Sequence, residues 1–357
     1  MEDLRLGVAN RSLQVLVVAY FIIAMAVSRE YEVKYKPTGQ TQYYFSKGNL
    51  GMEDYTDFCD RVNHHSYEYH MDWNDGTNYW AEFNQQCYQP SFQEINVKVN
   101  DVGWIYTYVK DTVIVKDTCD AIPDESYCKN NFTNSGVDGS VHHTIYLDNV
   151  CSCERYNNYF FPGAEDLGLG IDHTFKVEEM NHYETNVLTR IRGNSYGKDE
   201  KDYKVFQPGE TISLQISELL ELAGLESLDA KNEKGMALYP SSIEDEYLSY
   251  RTSGFEIQLD FQYMGSIGPT IPKGSNVELI LMVRGVPGYS SKGNEVSYSP
   301  QYSPTSFPNV SEYPMYIHDR YYRGIKVVML YGGVVGTFDF PNFKNSLTLL
   351  FSNIFFP

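Results

Sequence analysis

Both extremities of this 357-residue chain are apolar, and the long stretch between them is polar, aromatic and cysteine-bearing. Leu13 through Val27 carries no strongly polar side chain except Gln14. With Val8 and Ala9 ahead of it, the run approaches the ~20 residues a membrane-crossing helix requires. At the far end, Phe343 to Pro357 is shorter than a crossing helix and has Lys344 and Asn345 near its start. It stops in Leu349-Leu350-Phe351-Ser352-Asn353-Ile354-Phe355-Phe356 with no polar flank, which favours a second helix cut short over a segment that is only interfacial. The roughly three hundred residues between are far too many for a hairpin loop and enough for a folded domain with its own core.

The first run also fits a cleaved secretory leader with Ala24-Met25-Ala26 as its processing site. Against that stands the acidic start Met1-Glu2-Asp3, where a leader would be basic. Flanking charge leaves orientation open, because Arg29, Lys34 and Lys36 balance Arg5 and Arg11.

Cys59, Cys87, Cys119, Cys128, Cys151 and Cys153 all lie between the apolar ends, which points to an oxidising compartment and to disulfides. Six cysteines permit more pairings than sequence can choose among. Cys151-Ser152-Cys153 lacks the usual zinc-ligand spacing. The sequons at Asn131 and Asn309 fall in the same region and are glycan acceptors if it faces the secretory lumen. A net charge of -19 excludes a general nucleic-acid binder and favours cations near the surface.

Period-two alternation marks strands at Asn96 to Val99, Trp104 to Val109, Phe255 to Phe261, Asn276 to Val283, Glu295 to Tyr298 and Ile325 to Tyr331. Gly268-Pro269, Lys273-Gly274, Val286-Pro287-Gly288 and Lys292-Gly293 read as the turns between them. One segment reads as helix, Gln215 to Leu225, with Ile216, Leu219, Leu220 and Ala223 on one face and Gly224 at its end. The Pro-punctuated run Ser297 to Ser306 reads as an extended exposed loop. The expected class is a membrane protein, mainly β, with a disulfide-bonded body.

No phosphate-binding loop, dinucleotide fingerprint, nucleophile elbow or helical zinc motif is present, so an enzyme is disfavoured and no cofactor is expected. His64, His65 and His70, and separately His142 and His143, are cluster candidates for a metal, but histidines in such Tyr-rich, loop-prone sequence are more often surface groups.

Three anchors resemble a known family. The first is Leu6-Gly7-Val8-Ala9-Asn10-Arg11-Ser12-Leu13-Gln14 followed by Val17-Val18-Ala19-Tyr20. The second is Ile216 to Gly224 with Leu228-Asp229 and the strand Phe255 to Phe261, and the third is Gly324-Ile325-Lys326 with Gly332-Gly333, Gly336 and Phe338. Together they resemble the ATP-gated P2X purinoceptors, especially the divergent forms of unicellular eukaryotes. The resemblance implies a homotrimer in which each subunit gives two helices to a pore for sodium, potassium and calcium, with extracellular ATP or another anion bound between neighbouring β-rich bodies. It implies a short cytoplasmic start at 1–8, a first membrane helix at 9–28, an extracellular ligand-binding domain at 29–337 and the start of a second helix at 338–357. A multi-pass protein of the plasma membrane or of an internal, contractile-vacuole-type membrane follows. The bottom-up rival is a secreted or singly anchored β-rich glycoprotein that binds a ligand without forming a channel.

Carried over residue by residue, Lys47-Gly48 is similar to the second half of the family's early Lys-x-Lys-Gly element, while Phe45 occupies the place of its first lysine. Arg320 and Arg323 lie where the family places a phosphate-binding lysine; three apart on a strand they face opposite sides, and Arg320 is the choice. The family's Asn-Phe-Arg triplet is missing between Gly288 and Tyr316, leaving Arg284 and Lys292 as substitute cations. Asp339 is assigned either to a cation-attracting outer mouth or to helix capping.

Overall fold

The computed structural model describes residues 11–20, 23, 27, 31–47, 68–72, 78–82, 85–87, 95–132, 140–146, 148–161, 163–193, 202–232, 249–267, 276–286, 291–300 and 315–355. Arg5, Cys59, His64, His65 and Asn309 lie outside them. Among the described residues the chain is dominated by strands, and β1 (Glu32–Tyr35), β2 (Thr38–Ser46), β3 (Glu68–Asp72), β4 (Asn78–Glu82), β5 (Gln85–Cys87) and β6 (Asn96–Val99) come first. The long strand β7 (Val102–Thr118), helix α1 (Glu125–Phe132), β8 (Ser140–Ile145) and β9 (Val150–Phe160) follow. Next come β10 (Gly168–Val177), β11 (His182–Thr185), β12 (Leu188–Gly193), β13 (Lys204–Phe206) and β14 (Ile212–Gln215), leading into α2 (Ile216–Leu222) and α3 (Tyr250–Ser253). The chain continues with β15 (Phe255–Ile267), β16 (Glu278–Val286), β17 (Ser291–Pro300), β18 (Met315–Phe338) and α4 (Phe340–Phe355).

The main sheet runs β13-β12-β16-β15-β18-β7-β9-β5, with β1 and β17 also on β18, β6 on β7 and β8 on β9. Its interior follows from alternation: Phe255, Ile257, Leu259, Phe261 and Tyr263 of β15 are all buried, as are Leu279, Leu281 and Val283 of β16. A four-stranded sheet, β11-β10-β14 with β2 on β10, packs against that face. It contributes Tyr43, Leu169, Ile171 and Phe175 to the same core. His173 of β10 is buried there too, its Nε2 3.1 Å from the Thr189 hydroxyl and its Nδ1 3.3 Å from the Tyr263 hydroxyl. Burial drives its pKa down to about 4.

The expected helix forms as α2, with a capping box in which Gln215 N–H donates to Glu218 at 2.7 Å. Its face Ile216, Leu219, Leu220 and Leu222 is buried. The strands expected from alternation are all present, but most are longer than their apolar cores. Lys292-Gly293 is no turn: both residues lie in β17, where the ladder to β18 slips between Lys292 and Glu295. Ser297–Pro300, expected as loop, pairs with Met315–His318, because the β18 edge supplies the partners that proline-punctuated sequence does not advertise.

A second core lies at the far end of β7, where Val113, Val115, Ile122, Cys128, Val141, Cys151 and Cys153 cluster under α1. Disulfides Cys119–Cys151 and Cys128–Cys153 tie α1 and the turn before it to β9. Cys87 sits in β5, beside Phe160 of β9.

Among the described residues no helix is long and apolar enough to cross a membrane. Residues 11–20 are helical, with Leu13, Leu16 and Tyr20 exposed. The two apolar ends meet the body at one place. β1 pairs antiparallel with the last rungs of β18, Glu32 opposite Phe338, and Asp339 N–H donates to the Tyr31 carbonyl at 3.0 Å.

Candidate anion-binding site

Strand β18 sets the geometry. On one face it carries His318 and Arg320, two residues apart, and the rung opposite Arg320 on β7 is Asp111. Asp111 is buried, although it belongs to a run whose neighbours in phase are Val109, Val113 and Val115. Its carboxylate lies 3.4 Å from Arg320 Nε and 3.3 Å from His318 Nδ1. Partial burial works against the Arg320 charge, but Asp111 and a hydrogen bond with Tyr322 outweigh it and raise the guanidinium pKa. The side chain of Arg320 remains 41% exposed, so it can still meet a ligand.

The other face carries Arg323, opposite Tyr108, and Tyr321, opposite Lys110. Arg323 Nη1 donates to the Thr252 carbonyl at 3.2 Å, and its guanidinium lies 5.5 Å from the Tyr108 ring centroid and 5.6 Å from that of Tyr321. Desolvation, then the adjacent Arg323, lowers the Lys110 pKa. Arg323 is thus tied inward to α3, while Arg320 stands more open.

Just beyond Arg323 the ladder changes register, so that Gly324 faces Tyr106 and Thr107 is left as a bulge. A side chain at Gly324 would put its Cβ 2.0 Å from the Ile105 carbonyl oxygen, which is why only glycine fits. The bulged Thr107 hydroxyl donates to the Arg251 carbonyl at 2.6 Å. Arg251 is itself fully buried, its Nε 2.6 Å and Nη2 3.1 Å from the Asp229 carboxylate, with Nη2 also on Glu165. Burial opposes that charge, but Glu165 and Asp229 prevail and hold the pKa above its ordinary value.

The remaining cations are dispersed. Lys292 is the register partner of Tyr322, which places its backbone between Arg320 and Arg323. Arg284 is elsewhere: it pairs with Gln258, which neighbours Val328, eight residues or roughly 26 Å along β18 from Arg320. There it meets Asp260 at 3.2 Å. Lys47 is exposed just past the end of β2, and no described hydrogen bond or ion pair joins it to Arg320. Phe45 is half-buried, its ring against Tyr43 and over Gly103.

At the lower end of β18, Asp339 Oδ2 accepts from the Asn342 N–H at 3.0 Å, and its carbonyl accepts from Phe343 N–H at 2.9 Å. Asp339 therefore caps α4, with Pro341 in the first turn, where a missing N–H costs nothing. Asn131 sits in α1 and its amide donates to the Tyr127 carbonyl. His143 Nε2 lies 3.1 Å from the Ile122 carbonyl, His142 is exposed and His70 lies in β3. Among the described residues no His, Cys, Asp or Glu group could hold a metal. Sequence reasoning missed Asp111, His318, Lys110 and Arg251. The signal for Asp111 was present: a carboxylate in phase with Val109, Val113 and Val115 must find a cation when that face closes.

No family model matches the chain, and no curated protein matches it. Among solved structures, the chicken ATP-gated P2X7 receptor channel, with the competitive antagonist TNP-ATP, is similar at a TM-score of 0.46 and 11% identity, over 98% of this chain and 95% of that one. An invertebrate P2X receptor from the Gulf Coast tick, with ATP and zinc ion, is similar at a TM-score of 0.44 and 14% identity, over 96% of this chain and 97% of that one. Likenesses this distant establish neither the family nor the activity of this chain.

Proposed function

We propose that this chain is the subunit of a homotrimeric, ATP-gated, non-selective cation channel, with residues 29–337 outside a membrane reached by helices at 9–28 and from 338 onward. One observation carries the reading. β18 runs unbroken from Met315 to Phe338, with Arg320 and Arg323 near its start and the Asp339-capped α4 directly after its end. From Arg320 to Phe338 such a strand spans about 60 Å. A cation cluster and an apolar helix at the two ends of one strand form a lever, and differential affinity of an anion for two body states suffices to move it.

Two further features support the reading. The pairing of β1 with the end of β18 delivers both apolar ends to one point, as a same-side, two-helix layout requires. On the solvent face of the main sheet, Leu330 and Val334 of β18 and Met264 of β15 are 41%, 50% and 43% exposed, an apolar strip suited to cover by another copy. In this arrangement Lys47 of one copy and Arg320 of the next hold the triphosphate, with Lys292 at the margin. Arg284 is too far along β18 to join them. Asp339, at the foot of the body, adds negative charge near the outer mouth while it caps α4.

The test is electrical. Cells expressing the full-length gene are held under voltage clamp while ATP is applied, with surface protein shown by labelling. Inward current in wild type, and a right-shifted response in Lys47→Ala and Arg320→Ala, is the expected result. Surface protein that passes no current at any ATP concentration sinks the proposal.

A further inference from the structure

The clue lies in how β2 is held. Among the described residues it pairs with β10 alone, so its other edge has no ladder partner. Its side chains alternate, with Gln40, Gln42 and Tyr44 exposed and Thr41 and Tyr43 buried. The inward phase runs Thr41, Tyr43, Phe45, and the next residue in that phase is Lys47.

Each of those three inward residues meets the turn that joins β6 to β7. The Thr41 and Tyr331 hydroxyls lie 2.6 Å apart, and the Tyr331 hydroxyl donates to Asp101 Oδ1 at 3.4 Å. The Tyr43 hydroxyl donates to the Asn100 carbonyl at 3.3 Å. The Phe45 ring lies over Gly103, where a Cβ would come within 2.8 Å of it. Asn100 makes the turn in the left-handed region, at φ 52°, which asparagine tolerates. Lys98 of β6 closes the grip: its Nζ donates to the Tyr43 carbonyl at 3.0 Å and lies 4.3 Å from the centroid of the Tyr43 ring. One ammonium thus holds Tyr43 by backbone and ring together.

We infer that the β6–β7 turn is a saddle that aims Lys47, and that Lys98 is the positioning residue within it. The inference rests on the proposed site and adds how one of its cations is placed. A lysine is a point charge on a flexible stem, so its use to a phosphate depends on where its backbone is fixed. A strand paired on one edge only can splay on the other, and the Tyr43 carbonyl lies on the part of β2 that the saddle grips. Without Lys98 that carbonyl turns to water, and Phe45 and Lys47 shift with the loosened edge. Lys98 does not reach the phosphates itself, because its ammonium sits at Tyr43, four residues or about 13 Å of strand before Lys47. It is also exposed, and the core residues Leu169, Ile171 and Phe175 beneath β2 do not depend on it.

Binding of fluorophore-labelled ATP to the full-length protein in detergent is the experiment, read as a double-mutant cycle between Lys98 and Lys47. Lys98→Met weakens binding by about fivefold, the scale of one hydrogen bond. Lys98→Arg recovers most of that loss, because a guanidinium also donates to the carbonyl and lies over the ring. In a Lys47→Ala background Lys98→Met weakens binding no further, since there is no longer a cation to aim. A residue that only stabilised the body would shift the melting temperature and leave the affinity alone, and a direct phosphate contact would add its loss to that of Lys47→Ala.

If Lys47→Ala weakens binding while Lys98→Met does not, or if the two losses add, the saddle is overturned and the site stands. If Lys47→Ala binds as wild type does, or wild type binds no ATP, the site itself falls and this inference with it.

Discussion

Replacing Arg251 by methionine removes a fully buried cation that ties three separate segments together. Its guanidinium makes two hydrogen bonds to Asp229 and one to Glu165, and its carbonyl receives the hydroxyl of the bulged Thr107. Breaking a buried ion pair by removing one partner costs ~3–5 kcal/mol. Here the stranded partners are not equally buried: Glu165 and Asp229 are 27% and 41% exposed and regain water once the cation has gone. That relief places Arg251→Met at the lower end, about 3 kcal/mol. Asp229→Asn removes two of the hydrogen bonds that hold the buried guanidinium and costs a similar amount. Glu165→Gln removes a single charged hydrogen bond and costs about 2 kcal/mol.

The assay is urea unfolding of the detergent-solubilised full-length protein followed by tryptophan fluorescence, to which half-buried Trp104 of β7 contributes. Arg251→Met combined with Asp229→Asn should cost far less than the two single changes summed, because both remove the same pair. An Arg251→Met protein within about 1 kcal/mol of wild type, or a double variant whose losses add, would refute the reasoning.

Two other outcomes follow from the same interior. His173 has a folded pKa of about 4, below the ordinary histidine value, so the neutral ring is the form that the core accepts. Its contribution to stability is complete above pH 6.5 and is lost as pH falls toward 4, a change of about 3 kcal/mol that His173→Gln should remove from the pH dependence of the melting temperature. Replacing Cys128 and Cys153 together by serine opens a link between residues 25 apart in sequence and should cost about 3 kcal/mol. Protease should then cut first in the α1 and β8 region, while the core around Phe261 stays intact.

What sequence could reveal depended on whether a face was apolar throughout. β15 was legible from Phe255 onward because alternation there is uninterrupted, and α2 because its apolar spacing and closing glycine agree. β7 looked finished at Val109, since Lys110-Asp111 resembles the end of a strand. It continues to Thr118 because Asp111 finds Arg320 and His318 across the ladder, a contact between positions more than two hundred residues apart. The first half of β18 was hidden for the same reason: His318-Asp319-Arg320 and Tyr321-Tyr322-Arg323 put polar or aromatic residues on both faces, with no apolar phase to follow.

The candidate site was legible only in part. Period two was enough to separate Arg320 from Arg323. Closeness in sequence made Arg284 and Lys292 look alike, yet the β15 register carries Arg284 far down the sheet. The Arg251 triad draws on residues 22 and 86 positions away, and nothing local to any of them announces the partnership.

The bond between Asp339 and Tyr31 has a mechanical meaning. Tyr31 and Asp339 stand side by side at one edge of the body, buttoned together by a short ribbon of sheet. A displacement arriving down the long strand is therefore shared with β1, so that Tyr31 and the start of α4 shift together.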